Sequence, residues 1–101
     1  MAQFVKVASL SELPVGTGKA VEVSGKSIAL FNVNGKVYAM DNTCLHQGGP
    51  LGEGMLEDDV VTCPWHMWQY NVRTGENLED SMLKVETYPV RVAGDDIEVE
   101  I

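Results

Sequence analysis

Cysteine and histidine are scarce in this chain, two of each in 101 residues. Two cysteines, Cys44 and Cys63, are too few for the disulfide lattice of a small secreted module, so they are expected to be thiols with another task. Cations are short too: seven Lys and Arg stand against fifteen Asp and Glu, a formal net charge of −8. Binding to phosphate backbones needs clustered positive charge, so this balance argues against nucleic-acid partners, and an anionic membrane would repel the chain. No apolar run approaches the length of a bilayer span, and the N-terminal MAQFVKVASL lacks the basic-then-apolar pattern of a leader. The expectation is a soluble cytoplasmic protein without a membrane partner. Long helical periodicity is also missing, which leaves β-structure as the main architectural option.

What is present fits that option. Hydrophobic residues make up 45% and charged residues 22%, a balance that supports one folded domain over residues 1–101. Phe4-Val5-Lys6-Val7 reads as a strand, and Ser9 to Pro14 as one helical turn stopped by the proline. Alternating Val21 and Val23 precede Ile28 to Val33, then Asn34-Gly35, then Lys36 to Met40. The Asn-Gly pair tolerates the positive φ angles of a type I′ turn, so these last two runs are expected to form a hairpin. A second hairpin is expected from Leu83 to Val92, turning at Ala93 to Asp96, and returning from Ile97 to Ile101. Between the hairpins, over residues 41–80, the chain is rich in Gly, Pro, Asn, Asp and Thr. Only Val60-Val61-Thr62 and Trp68 to Val72 read as strands there. The expected fold class is therefore all-β, a small antiparallel sandwich or barrel carrying its chemistry on loops.

All the cysteine and histidine lies in that middle segment, as Cys44-Leu45-His46 and Cys63-Pro64-Trp65-His66. Scattered residues would not fall into two matched pairs, so buried thiols with unrelated histidines explain the spacing poorly. A Cys-His nucleophile needs one thiolate and one base rather than two of each. Structural zinc is a serious rival, because thiolate and imidazole together make good tetrahedral sites. Common zinc fingers, however, group the cysteines apart from the histidines, whereas each loop here supplies one of each. That mixture suits a 2Fe-2S cluster with two thiolates on one iron and two imidazoles on the other.

The pattern C-x-H, sixteen residues, C-x2-H resembles the Rieske motif, and residues 44–75 resemble the cluster-binding part of soluble Rieske-type ferredoxins. The resemblance implies that Cys44 and Cys63 bind the inner iron and His46 and His66 the outer iron, within a cluster-binding subdomain over residues 41–80. Gly48-Gly49-Pro50 would let the first loop turn sharply, aiming backbone N–H groups at the sulfides. The histidine-bound iron, poorer in electrons, would hold the added electron, and the potential should fall as pH rises through the imidazole pKa values. High-potential Rieske proteins place a disulfide between the loops where this chain has Gly49 and Trp65, and a serine where it has Trp68. Those differences point to a lower-potential carrier. Tyr70 keeps the family's aromatic ring, whereas Met67 stands where glycine is common, and Asp80-Ser81-Met82 lacks a proline often found in a third loop.

With every cluster position taken by protein there is no room for substrate, and no further histidine remains to build a separate catalytic iron. The resemblance therefore implies an electron carrier, not an enzyme, passing single electrons from a flavin-dependent reductase to a terminal oxygenase. The alternatives are the small Rieske-like subunit of a nitrite reductase and, from a different class, a zinc-stabilised interaction module. Leu45, Pro64, Trp65 and Met67 are expected to form an apolar docking patch, with Glu57, Asp58 and Asp59 steering basic partners.

Overall fold

A computed structural model describes residues 3–43, 49–65 and 67–100. Among the described residues, ten strands form three antiparallel sheets. In chain order they are β1 (Phe4–Ser9), β2 (Gly18–Val23), β3 (Lys26–Val33), β4 (Lys36–Asp41), β5 (Met55–Glu57), β6 (Val60–Thr62), β7 (Gln69–Asn71), β8 (Thr87–Tyr88), β9 (Val90–Ala93) and β10 (Asp96–Glu100). One sheet has the order β2-β3-β4-β8, a second β1-β10-β9, and the third β5-β6-β7. Two single 3-10 turns, Leu10–Glu12 and Leu51–Glu53, are the helical content among the described residues. The all-β expectation holds.

Strand β3 explains the architecture. Its run Ile28-Ala29-Leu30-Phe31 is apolar without alternation, and all four side chains are fully buried, the signature of a strand covered on both faces. Ile28 and Leu30 join Val37, Ala39, Ile97 and Val99 in one core. Ala29 and Phe31 face the other way, into a core with Met40, Leu51, Val61, Cys63, Tyr70, Val72 and Val85. Burying each large side chain contributes about 1.5–3 kcal/mol, so one strand anchors both halves. The second core contains Cys63.

Turn chemistry sets the registers. Val33 faces Lys36 across Asn34-Gly35, both at positive φ (53° and 96°), as a type I′ turn requires. The same device recurs at Ser24-Gly25 (51° and 80°), which turns β2 into β3. Sequence reading passed over that hairpin because Ser-Gly is a weaker turn signal than Asn-Gly. The C-terminal hairpin differs from expectation in extent. It runs from Val90 to Glu100 about Gly94-Asp95, while Thr87 and Tyr88 pair instead with Met40 and Ala39 of β4. Pro89 stands between the two pairings; having no N–H, it cannot continue a ladder. Met55–Glu57 is a strand that the sequence reading missed, since Gly52 and Gly54 gave its surroundings the texture of a loop.

Candidate metal centre

The β5-β6-β7 sheet projects the second candidate ligand loop. Val61 pairs with Tyr70 and Thr62 with Gln69, and the six residues from Cys63 to Trp68 close on themselves when the Cys63 N–H donates to the Trp68 carbonyl at 2.7 Å. Cys63 is fully buried at the mouth of this loop, packed in the core of Phe31, Met40 and Tyr70. Of the other candidate ligands, Cys44, His46 and His66 lie outside the described residues, as does Leu45 of the expected apolar patch.

The first loop can be followed at both of its ends. Thr43 and Pro50 form an antiparallel bridge across it. Beneath that bridge Asn42 acts as a clamp: its N–H donates to the Ser27 carbonyl at 3.0 Å, and its carbonyl accepts from Leu51 N–H at 2.7 Å. Its side-chain Oδ1 accepts from Gly52 N–H at 2.6 Å, and Nδ2 donates to Ser27 Oγ at 3.1 Å. Both feet of the loop are thereby fixed to the start of β3. Sequence reasoning missed Asn42; an Asn two residues before a candidate ligand was the available signal. Just upstream, Tyr88 Oη donates to Asp41 Oδ1 at 2.7 Å. Burial first, then this bond and the Asp41 charge, then Glu86, push the Tyr88 phenol well above its ordinary value of 10.0.

Gly49 joins the two loops. A Cβ built on it would lie 2.7 Å from Cys63 Sγ and 3.1 Å from Trp65 Cγ, so the absent side chain lets the first loop close over the Cys63 sulfur. Gly49 is not at positive φ, so its missing side chain serves space; Gly48, the other glycine of the expected Gly48-Gly49-Pro50 turn, lies outside the described residues. Gly49 and Trp65 are the two positions where high-potential relatives carry their disulfide, and here they pack together. Trp65 remains 49% exposed. Trp68, in place of serine, is partly buried against the Cys63 core.

The other departures also find physical accounts. Met67 sits at φ 62°, a left-handed conformation that glycine adopts at least cost, which is why glycine suits this position. In the third loop, Asn77 Oδ1 accepts from the N–H groups of Glu79 and Asp80 at 2.8 and 3.1 Å, and Asp80 Oδ1 from that of Met82 at 3.0 Å. Side-chain turns of this kind shape the segment without a proline. Pro64, Trp65 and Met67 are all exposed, as expected for an apolar patch. Asp59, by contrast, is held by Arg73 at 3.6 Å and by Asn71 Nδ2 at 3.4 Å, which sets it apart from Glu57 and Asp58.

A closed cysteine loop, a buried sulfur and a glycine-made cradle beside it fit a thiolate-bound cluster at this end of the molecule. Among the described residues no three His, Cys, Asp or Glu side chains gather into a separate metal site, nor is any helix long and apolar enough to cross a membrane. The family model for the Rieske [2Fe-2S] domain matches residues 3–89. The ferredoxin component of the naphthalene 1,2-dioxygenase/salicylate 5-hydroxylase systems of Ralstonia sp is 38% identical over 90 residues, covering 88% of this chain and 86% of that one. A structure described as a complex of reduced oxygenase and oxidized ferredoxin in carbazole 1,9a-dioxygenase matches with a TM-score of 0.87 at 31% identity, over 95% of this chain and 91% of the matched one. A putative NADH-dependent nitrite reductase small subunit from Mycobacterium tuberculosis matches with a TM-score of 0.90 at 25% identity, over 100% and 96%. The likeness to dioxygenase ferredoxin components makes the protein a ferredoxin-type electron carrier rather than a catalyst, with a 2Fe-2S cluster as its cofactor. The chain belongs to the Rieske [2Fe-2S] domain family.

Proposed function

We propose that Cys44 and Cys63 hold one iron of the cluster and His46 and His66 the other, in a cluster-binding subdomain of residues 41–80 within a single domain spanning 1–101. In this reading the protein is the cytoplasmic ferredoxin of an oxygenase system, taking electrons from a flavin-dependent reductase and delivering them to a terminal oxygenase. The observation that carries the ligand assignment is the buried Cys63 in its closed loop with Gly49 against its sulfur. When bound, the cluster supplies a reversible one-electron couple with no vacant position for substrate. The neutral imidazoles of His46 and His66, replacing two thiolates, set the potential above that of an all-cysteine site. Trp68 supplies bulk in place of a hydroxyl that could donate to sulfide, which lowers the potential relative to serine-bearing relatives.

The nitrite reductase small subunit shares the fold, so fold alone does not separate the two roles. Complete candidate ligands and the higher identity to dioxygenase ferredoxins, 38% against 25%, support the carrier. Purified protein should be coloured, contain iron and acid-labile sulfide, and give a rhombic EPR signal on reduction. Cys63→Ser should abolish all three. A colourless protein that contains zinc would replace this reading with the interaction module.

A further inference from the structure

The outer face of the β5-β6-β7 sheet carries an open groove of about 400 Å3. Alternation along β6 makes it: Val61 is fully buried in the Cys63 core, while its neighbours Val60 and Thr62 line the groove. Met55, Met67 and Leu78 form its apolar walls and stand 77%, 69% and 50% exposed. Three large apolar side chains around one groove are a costly arrangement for a surface without a partner. The rim is anionic. Asp59 is engaged by Arg73, whereas Glu57 and Asp58 enter no ion pair among the described residues, and Asp58 sits at φ 55° in the turn between β5 and β6.

We propose that this groove docks a basic protein partner that inserts an apolar side chain between Met55, Met67 and Leu78 while its Lys or Arg residues meet Glu57 and Asp58. Charge complementarity selects that occupant. A second copy would bring two acidic rims together in a chain of net charge −8, and like charges facing each other oppose self-association. Methionine walls are deformable and accept partners of differing shape. The inference rests on the electron-carrier reading and extends it, because Met67 belongs to the Cys63–Trp68 loop. The exposed Trp65 is not among the residues that line the groove.

The test uses the dithionite-reduced holoprotein and cytochrome c, a basic haem protein, in stopped-flow mixing, with a small neutral quinone as the control oxidant. Glu57→Lys with Asp58→Lys should slow oxidation by cytochrome c about tenfold at low salt, the difference shrinking as salt is raised. Met55→Ser with Leu78→Ser should slow it by about threefold to tenfold at every salt concentration, as expected when apolar anchors are lost. Oxidation by the quinone and the visible spectrum should stay as in the parent. Glu98→Lys with Glu100→Lys, the same charge change placed on β10, should alter the cytochrome c rate by less than about twofold. Equal slowing by the β10 pair would show that net charge acts without the groove, and unchanged rates in both groove variants would remove the docking site. Parent protein that sediments as a dimer, and as a monomer once Met55 and Leu78 are changed, would reassign the groove to self-association. A parent protein without a reducible chromophore would instead overturn the carrier reading, a failure visible before any variant is made.

Discussion

The sheet built on β2, β3 and β4 and the sheet built on β5, β6 and β7 are both antiparallel meanders, but they are held in opposite ways. In the first, β3 is eight residues long and pairs along six positions with each neighbour, with core on both faces. In the second, each strand has three residues, and beside the buried Val61 and Tyr70 order comes from closures: Cys63 to Trp68, the Asn42 clamp, the turns at Asn77 and Asp80, and a turn in which Asn71 Oδ1 accepts from the N–H groups of Arg73 and Thr74. Strand pairs so short are marginal by themselves. The difference leads to the expectation that the scaffold holds without the cofactor, whereas the segment carrying Cys63 gains part of its stability from what it binds.

Removing the cluster is the strongest way to test that contrast. In the apoprotein, amide exchange in β5, β6 and β7 should accelerate by about a hundredfold or more, while β3 amides change far less. Uniform acceleration across both sheets would mean that the cluster supports the whole molecule. Asn42→Ala comes next. It strips two side-chain bonds from a buried position and should cost about 2–3 kcal/mol in urea unfolding of the holoprotein, with faster loss of colour under chelator. An Asn42→Ala protein that keeps parental colour stability would show that the first loop is held without the clamp.

Tyr88 offers a smaller effect with a pH signature. Its phenol has a higher pKa in the folded state than in the unfolded chain, so its contribution is complete below pH 10 and declines as pH rises beyond that value. Tyr88→Phe should lose about 1 kcal/mol at neutral pH and show less of that alkaline decline in thermal melts. The smallest change has the opposite sign. Met67→Gly relieves a left-handed residue at the cost of a more flexible unfolded chain, for a net gain of about 0.5–1 kcal/mol, and it removes one wall of the apolar groove.

Sequence alone revealed what depends on local chemistry. Asn34-Gly35 announces its turn because few residue pairs accept two positive φ angles, and paired Cys and His announce a mixed-ligand cluster because few other sites need both. It was less informative where distant contacts decide. Nothing local to Gly49 indicates that the Cys63 sulfur will arrive beside it, and its nearness to Trp65 was legible only through the resemblance, which puts a disulfide at those two positions. The split at Pro89 was readable in principle, but which sheet each half joins depends on β4 and β10. Asn42 is an ordinary loop residue until Ser27, Leu51 and Gly52 converge on it. Trp68 could be read as cofactor insulation or as core, and its packing against the core that holds Cys63 is compatible with both.

The two-faced burial of β3 has a magnetic consequence. Leu30 and Phe31 are adjacent in sequence yet belong to different cores, and Phe31 shares its core with Cys63. The unpaired spin of a reduced cluster anchored at Cys63 would therefore relax nuclei on the Ala29 and Phe31 side chains more strongly than those on Ile28 and Leu30. Relaxation enhancement should rise and fall with a period of two residues along the strand, making β3 a built-in ruler for the position of the electron.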